Sequence, residues 1–403
     1  MTTEEGRLHA AWDRYLATLG EVRKAIEDTP RYRDNPLHRA QAYDALFEAQ
    51  AMAYNYAIGP RLDHPRVYSR SSWNTYLYTL GQNSPDCYYG AMFLDGRGTY
   101  RLSGRAGATR IFLMQVHTHL LGHPQSKGLG NYDLSNFKLA ADGSFEIIVS
   151  AKEHPGNWIR LDPESEFNFI FIRRWLYDYF DDVGDLQVEP IGDMPAYDEQ
   201  SMAQMAARII RATDFLRYLV VDWSIALIDT YVRAAKGEVN AVALLPGEKI
   251  LSDLAGSPST IYGLGKFDLA RDDALILETE IPDCVYWSVQ LGDVWSQSLD
   301  FMHHQTDMNG AQAAIDSDGK CRMVICLDDP GIANWLDPVG RDQGTIVYRN
   351  YRSKTTGIGP AARLVKRAEL DRHLPAGTAR VTASQRQSRI ARRRAGLIRR
   401  YGD

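Results

Sequence analysis

The segment Trp295-Ser-Gln-Ser-Leu-Asp-Phe-Met-His-His-Gln-Thr-Asp-Met-Asn-Gly310 packs imidazole, carboxylate and amide groups into one strand-to-loop stretch. A histidine beside an aspartate can take or give a proton near neutral pH. His303, His304, Asp300 and Asp307 are therefore the candidate acid–base groups, with either aspartate able to orient an imidazole. Trp295, Gln297, Gln305 and Asn309 would contact substrate, and Trp287, Trp335, Tyr88 and Tyr89 would line an aromatic cleft. The structural alternative is a hydrogen-bonded loop crossing a sheet edge. A second set, Gln115-Val-His117-Thr-His119, reads as a strand, which turns His117 and His119 to one face. With His123 in the following Gly-His-Pro turn they could hold a divalent metal, or they are polar residues on a pocket wall.

Other chemistries lack their signatures. There is no GxGxxG after a strand, no GxxxxGK[ST], no GxSxG and no HExxH. The four cysteines, Cys87, Cys284, Cys321 and Cys326, form no CxxC pair and are too sparse for a disulfide scaffold. No cofactor is expected beyond the metal alternative. The N-terminus has no basic and apolar leader pattern, and no apolar run reaches the length of a membrane span. A cytoplasmic protein is the expectation.

The elements that must position these residues follow from periodicity. Leu8, Trp12, Tyr15, Leu19, Val22 and Ile26 form a helical stripe ended by Pro30, with a capping box expected from Thr2 and Glu5. Asn35-Pro36 caps a second helix that stops near Gly59-Pro60. From Tyr68 short strand-like runs alternate with turns such as Asp95-Gly96 and Asp142-Gly143, the pattern of a β-sandwich. Helical spacing returns from Pro195 to about Lys236, where Met202, Met205, Ile209, Phe215, Leu219, Trp223, Leu227 and Tyr231 read as buried, the methionines as core filler. Pro246 and Gly256-Ser-Pro258 mark the exit before strands resume.

The halves share an order of short motifs. Pro85-Asp-Cys-x-Tyr89, Asp142-Gly143, Asn157-Trp158 and Arg173 with Tyr177 match Pro282-Asp-Cys-x-Tyr286, Asp318-Gly319, Asn334-Trp335 and Arg349 with Tyr351. The step from Asp-Gly to Asn-Trp is 15 and 16 residues, but that from Asp-Cys to Asp-Gly is 56 and 35. An extra loop around 120–139 in the first copy would explain the difference. Two related sandwiches are expected, with most repeated residues structural. Ile281-Pro-Asp-Cys-Val-Tyr-Trp-Ser-Val-Gln-Leu291, Asp316-Ser-Asp-Gly319, Asn334-Trp-Leu-Asp337 and Ile346-Val-Tyr-Arg-Asn-Tyr351 give the chain its resemblance to the bacterial tandem families of unknown function numbered 1254 and 1214. The resemblance covers about 260–352 best and 70–180 more loosely. It implies an N-terminal β-sandwich and a jelly-roll-like C-terminal domain, and brings no catalytic residues.

The expected fold is therefore mainly β with α additions. N-terminal helices fill 1–66, a first sandwich 67–194, a helical insert 195–256, a second sandwich 257–355 and a basic helical tail 356–403. Net charge is −5, yet residues 381–403 carry seven arginines against one aspartate, +6, leaving −11 for the rest. The tail reads as a helix that docks on the acidic body or on a second copy in a homo-oligomer, or stays solvated, rather than binding nucleic acid or membrane. The best functional expectation is an enzyme of small-molecule metabolism, a lyase, isomerase or hydrolase, acting on a partly apolar or carbohydrate-like substrate. The rivals are a non-catalytic binder of sugars or hydrophobic metabolites and a metal-dependent oxidoreductase.

Overall fold

A computed structural model describes residues 3–69, 78–193, 201–234, 237–245, 260–355 and 357–402. The Thr2 half of the expected capping box, Pro195, Pro246 and Gly256–Pro258 lie outside the described residues, as does the side chain of Tyr231. The chain forms two compact units. The first comprises 1–78, 87–176 and 181–223, and the second 79–86, 177–180 and 224–403.

In the first unit, helices α1 (Thr3–Glu27), α2 (Pro30–Asp34) and α3 (Pro36–Ala53) precede the strands. The Asn35 side chain accepts from Leu37 N at 2.9 Å and Pro36 follows at the first helical position, as the sequence predicts. A π-helical turn, Tyr54–Ile58, extends α3. Strands β1 (Cys87–Leu94), β2 (Thr99–Arg105), β3 (Ile111–His117), β4 (Gly128–Asp133), β5 (Ser144–Ser150), β6 (Trp158–Arg160), β7 (Asn168–Trp175) and β8 (Asp185–Pro190) make two sheets, ordered β1-β7-β3-β4 and β6-β5-β2-β8. Met92, Met114, Ile170 and Ile172 from one sheet meet Tyr100, Leu102, Ile147 and Val149 from the other in one core. The outer face of β1 and β7 is buried too. There Tyr56 packs at 5.2–5.8 Å against Phe93, Phe169 and Phe215, the last on α4 (Met202–Arg217). This double burial explains the apolar run 169–172 within β7, where alternation would mark a half-exposed strand. Met202 and Met205 are exposed rather than core filler, because α4 buries Ala206, Ile209, Ala212, Thr213, Phe215 and Leu216 instead. A π-helical stretch, Tyr218–Ile225, continues α4 into α5 (Ala226–Ala234).

The second unit contains β9 (Ala241–Leu244), β10 (Thr260–Asp268), β11 (Asp273–Glu280), β12 (Tyr286–Gly292), β13 (Asp307–Asn309), β14 (Lys320–Ile325), β15 (Trp335–Leu336), β16 (Gln343–Tyr351) and β17 (Ala361–Lys366). Helices α6 (Leu370–His373) and α7 (Ala383–Tyr401) close the chain. The sheets run β13-β12-β16-β10-β9 and β15-β14-β11-β17.

Apart from β9 these orders repeat those of the first unit. β10-β16-β12-β13 follows β1-β7-β3-β4, and β15-β14-β11-β17 follows β6-β5-β2-β8, down to one parallel pair in each, β5–β6 and β14–β15. The duplication is real, but one motif match misleads. Cys87 opens β1 and Tyr286 opens β12, which is the counterpart of β3. Asp86 and Asp283 are therefore not equivalent. Counted from the true counterparts, β3 ends 25 residues before Asp142 and β12 ends 26 before Asp318, so the first copy needs no extra loop.

The Asn-Trp repeat is structural in both copies. The Asn157 amide donates to Lys138 O and Glu146 O and accepts from Lys138 N. The Asn334 amide donates to Ala314 O and Arg322 O and accepts from Ala314 N. Each indole N–H donates to a backbone carbonyl, Trp158 to Ser150 and Trp335 to Cys326. The repeated arginines also match, Arg173 donating to Gln115 and Arg349 to Gln290.

Candidate active site

The loop between β12 and β13 carries the acid–base residues in the second unit. Asp300 makes a side-chain turn, accepting from Met302 N and His303 N, and its Oδ2 lies 2.9 Å from His303 Nδ1. Both side chains of this pair are about half exposed. The next residue is held differently. His304 Nδ1 lies 2.7 Å from Asp337 Oδ2, and Asp337 Oδ1 accepts from Val339 N at 2.7 Å. The imidazole is 37% exposed and the Asp337 side chain 13%. A carboxylate only accepts, so Nδ1 carries the proton and the Nε2 lone pair is left as a base.

Asp337 belongs to the repeat: Leu161-Asp162-Pro163 follows Asn157-Trp158 as Leu336-Asp337-Pro338 follows Asn334-Trp335, and each aspartate accepts from the backbone N–H two residues on, that of Glu164 or Val339. The first copy places two more residues, Ile159 and Arg160, between Trp158 and its Leu-Asp-Pro. What the second copy adds is the imidazole of His304 against this aspartate.

Helix α7 pins this loop from the other side. Arg386, Arg393 and Arg400 recur every seventh residue, which sets them on one face of the helix, and all three are buried. Arg386 donates to Gln305 Oε1 at 3.1 Å and pairs with Asp329 at 3.0 Å. Arg393 reaches Asp307 Oδ1 at 2.7 Å, Phe301 O at 3.1 Å and His304 O at 3.0 Å. Arg400 donates to Pro85 O and Asp178 O, each at 2.8 Å. Tyr179 lies under two of these cations, its ring centre 5.1 Å from Arg393 and 5.5 Å from Arg400. The basic tail therefore docks on its own chain.

Asp307 does not orient a histidine. It is buried and paired with Arg393. Nearby Asp86 is also buried and accepts from the Tyr286 hydroxyl at 2.6 Å. Burial, reinforced by the charge of Asp307, pushes its carboxyl up to about 7, against the Tyr286 hydrogen bond. Nothing in the sequence joins Asp86, Tyr286, Asp307 and Arg393 as a unit, although the seven-residue arginine spacing is legible there.

The other sequence candidates are buried and bound within the fold. Gln305 Nε2 donates to Ala333 O and Trp335 O. Asn309 donates to Tyr177 O and caps the turn at Ala311 and Gln312. Gln297 N donates to Asp293, and Trp287, Trp295 and Trp335 are core side chains. Tyr88 and Tyr89 are buried in β1, Tyr89 stacked on Phe171 and Tyr88 under Arg174.

The three histidines of the metal reading do not converge. His117 is buried on β3, its Nε2 without a partner, and burial next to Arg173 lowers it to about 4. His119 and His123 stack on each other at 4.2 Å, and burial lowers both. Among the described residues no group of three His, Cys, Asp or Glu side chains is arranged to hold a metal ion. Among the same residues no helix is long and apolar enough to cross a membrane.

A crystal structure of an uncharacterized protein from Burkholderia cenocepacia is similar over 90% of this chain and 99% of its own, with 26% identity and a TM-score of 0.78. A Vibrio parahaemolyticus protein aligns over 81% of this chain and 99% of its own at 14% identity, with a TM-score of 0.43, too low to carry an argument. No curated protein matches. The family model described as "Protein of unknown function (DUF1214)" matches residues 90–177, which run from β1 through β7. That match falls on the first copy of the repeat, not on the second, where the motif order pointed most strongly. Over this segment the chain carries the DUF1214 sequence pattern.

Proposed function

We propose that the protein is an acid–base enzyme of small-molecule metabolism, with His304 as general base and Asp337 as its orienting carboxylate. The observation that carries this reading is the 2.7 Å contact between His304 Nδ1 and Asp337 Oδ2 on a partly open imidazole. Asp337 fixes the tautomer, His304 Nε2 accepts a proton from the substrate, and the imidazolium so formed is stabilised by the carboxylate. The same proton returns to a leaving group or a neighbouring carbon, which fits a lyase, isomerase or hydrolase. Arg393 and Arg386 hold the backbone of His304 and the side chain of Gln305, so the base sits on a fixed frame. His303, solvated and paired with Asp300, is the lesser candidate. The test assays purified protein on esters, lactones, glycosides and hydroxy acids. Turnover falls about 10²–10⁴-fold in His304→Ala and steeply in Asp337→Asn, with little change in His303→Ala. Turnover that survives His304→Ala removes the assignment.

A further inference from the structure

The helical layer of the first unit holds a cavity of about 280 Å³ that no residue of the dyad lines. Its walls are Trp12 and Tyr15 of α1, Tyr54 and Ile58 of the π-helical turn, and Met205 and Ile209 of α4. Trp12 and Tyr15 are stacked, with ring centres 5.5 Å apart and planes 27° apart. Trp12 is 51% exposed, and Tyr54 is likewise exposed. Ala53 and Ala212 complete the lining, and their small side chains leave the space open. Among the described residues none that lines the cavity is charged. The one amide among the described lining residues, Gln50, donates through Nε2 to Leu46 O at 3.2 Å, and its carbonyl oxygen is an acceptor.

We propose that this cavity binds a small planar aromatic molecule carrying one hydrogen-bond donor, of the size of indole. An apolar cavity of roughly 150 Å³ already accommodates benzene, and drug-sized ligands need about 300–1,000 Å³, so the volume selects a single or fused ring. Stacked aromatic walls favour a ring over an aliphatic chain of equal area. The uncharged lining rejects ions, which would be desolvated without compensation. The Gln50 carbonyl oxygen can accept from a donor such as N–H or O–H. The π-helical turn adds an independent pointer, since such turns recur at functional sites, and here it supplies two of the walls.

The test is a ¹⁹F NMR titration of the full chain with 5-fluoroindole. Saturable binding is expected, with a dissociation constant between about 10 µM and 1 mM, displaced by unlabelled indole. Trp12→Ala, at an exposed position that should not disturb folding, weakens binding about tenfold or more. Ala212→Met fills the cavity and abolishes it. 1-Methylindole, which lacks the donor, binds about fivefold more weakly. His304→Ala binds as wild type does, so the result stands apart from the fate of the dyad. Absence of saturable binding overturns the proposal. So does binding unchanged in both cavity variants, or displacement by cyclohexanol as effective as by indole. A wild-type dimer that Phe47→Asp on the neighbouring α3 surface dissociates, with no indole binding, assigns the cavity to a second copy and also overturns it.

Discussion

At the scale of single residues, burial decides which histidine does what. His117 is enclosed, with Nε2 unpartnered and Arg173 close by, and stays neutral down to about 4. The unfolded chain takes up that proton near 6.5. Stability that His117 contributes is therefore present above that value and lost as pH falls towards about 4, on the order of 2–3 kcal/mol. His117→Phe removes this titration. Urea unfolding at pH 7 and pH 4.5 should show a smaller loss for the variant than for wild type, and equal losses contradict the account. His304 differs because its ring is partly open and its carboxylate partner is within the same unit. The sequence showed the imidazoles and carboxylates but not their pairing. Asp307 lies closer in sequence to His304 than Asp337 does, yet chain proximity lost to the arginine that α7 delivers.

At the scale of elements, turns and caps were legible because their chemistry is local. The Asp-Gly turns and Asn-Trp caps fall at matching places in both copies. The Pro-Asp-Cys-x-Tyr match failed because a five-residue string precedes a different strand in each copy, and only sheet order reveals it. The two caps should differ in weight. Asn334 is buried and Asn157 is not, so Asn334→Ala should cost about 2–3 kcal/mol and Asn157→Ala about 1 in chemical denaturation. Equal costs would argue against burial as the cause. Helix α7 offers a sharper case. A Cβ at Gly396 would lie 2.5 Å from Tyr179 Cβ and 3.1 Å from the Phe180 ring. Alanine is the better helix former by about 1 kcal/mol, yet Gly396→Ala should lower the melting temperature because the helix must lift away from Tyr179. A raised melting temperature would show that the close approach does not bind the helix.

At the scale of the whole molecule, the charge of −5 conceals a basic helix buried against an acidic frame of its own chain. The run of arginines reads in sequence as either a docking helix or a solvated one, and the spacing of 386, 393 and 400 marks the side that is buried. Deleting residues 383–403 strips the partner from buried Asp307, a loss of about 3–5 kcal/mol by itself. The truncated chain should lose the cooperative unfolding of the second unit, and an unchanged melting curve would contradict the clamp. The repeat sets what both sandwiches share, this aspartate included, and the imidazole of His304 brought against Asp337 sets what the second can do. The most direct test of that claim needs no substrate. Long-range ¹H–¹⁵N NMR of the imidazoles reports which nitrogen of His304 carries the proton. The account predicts that the neutral ring is the Nδ1–H tautomer with Nε2 bare, a preference lost in Asp337→Asn; a neutral His304 ring protonated at Nε2 in the wild-type protein would contradict it.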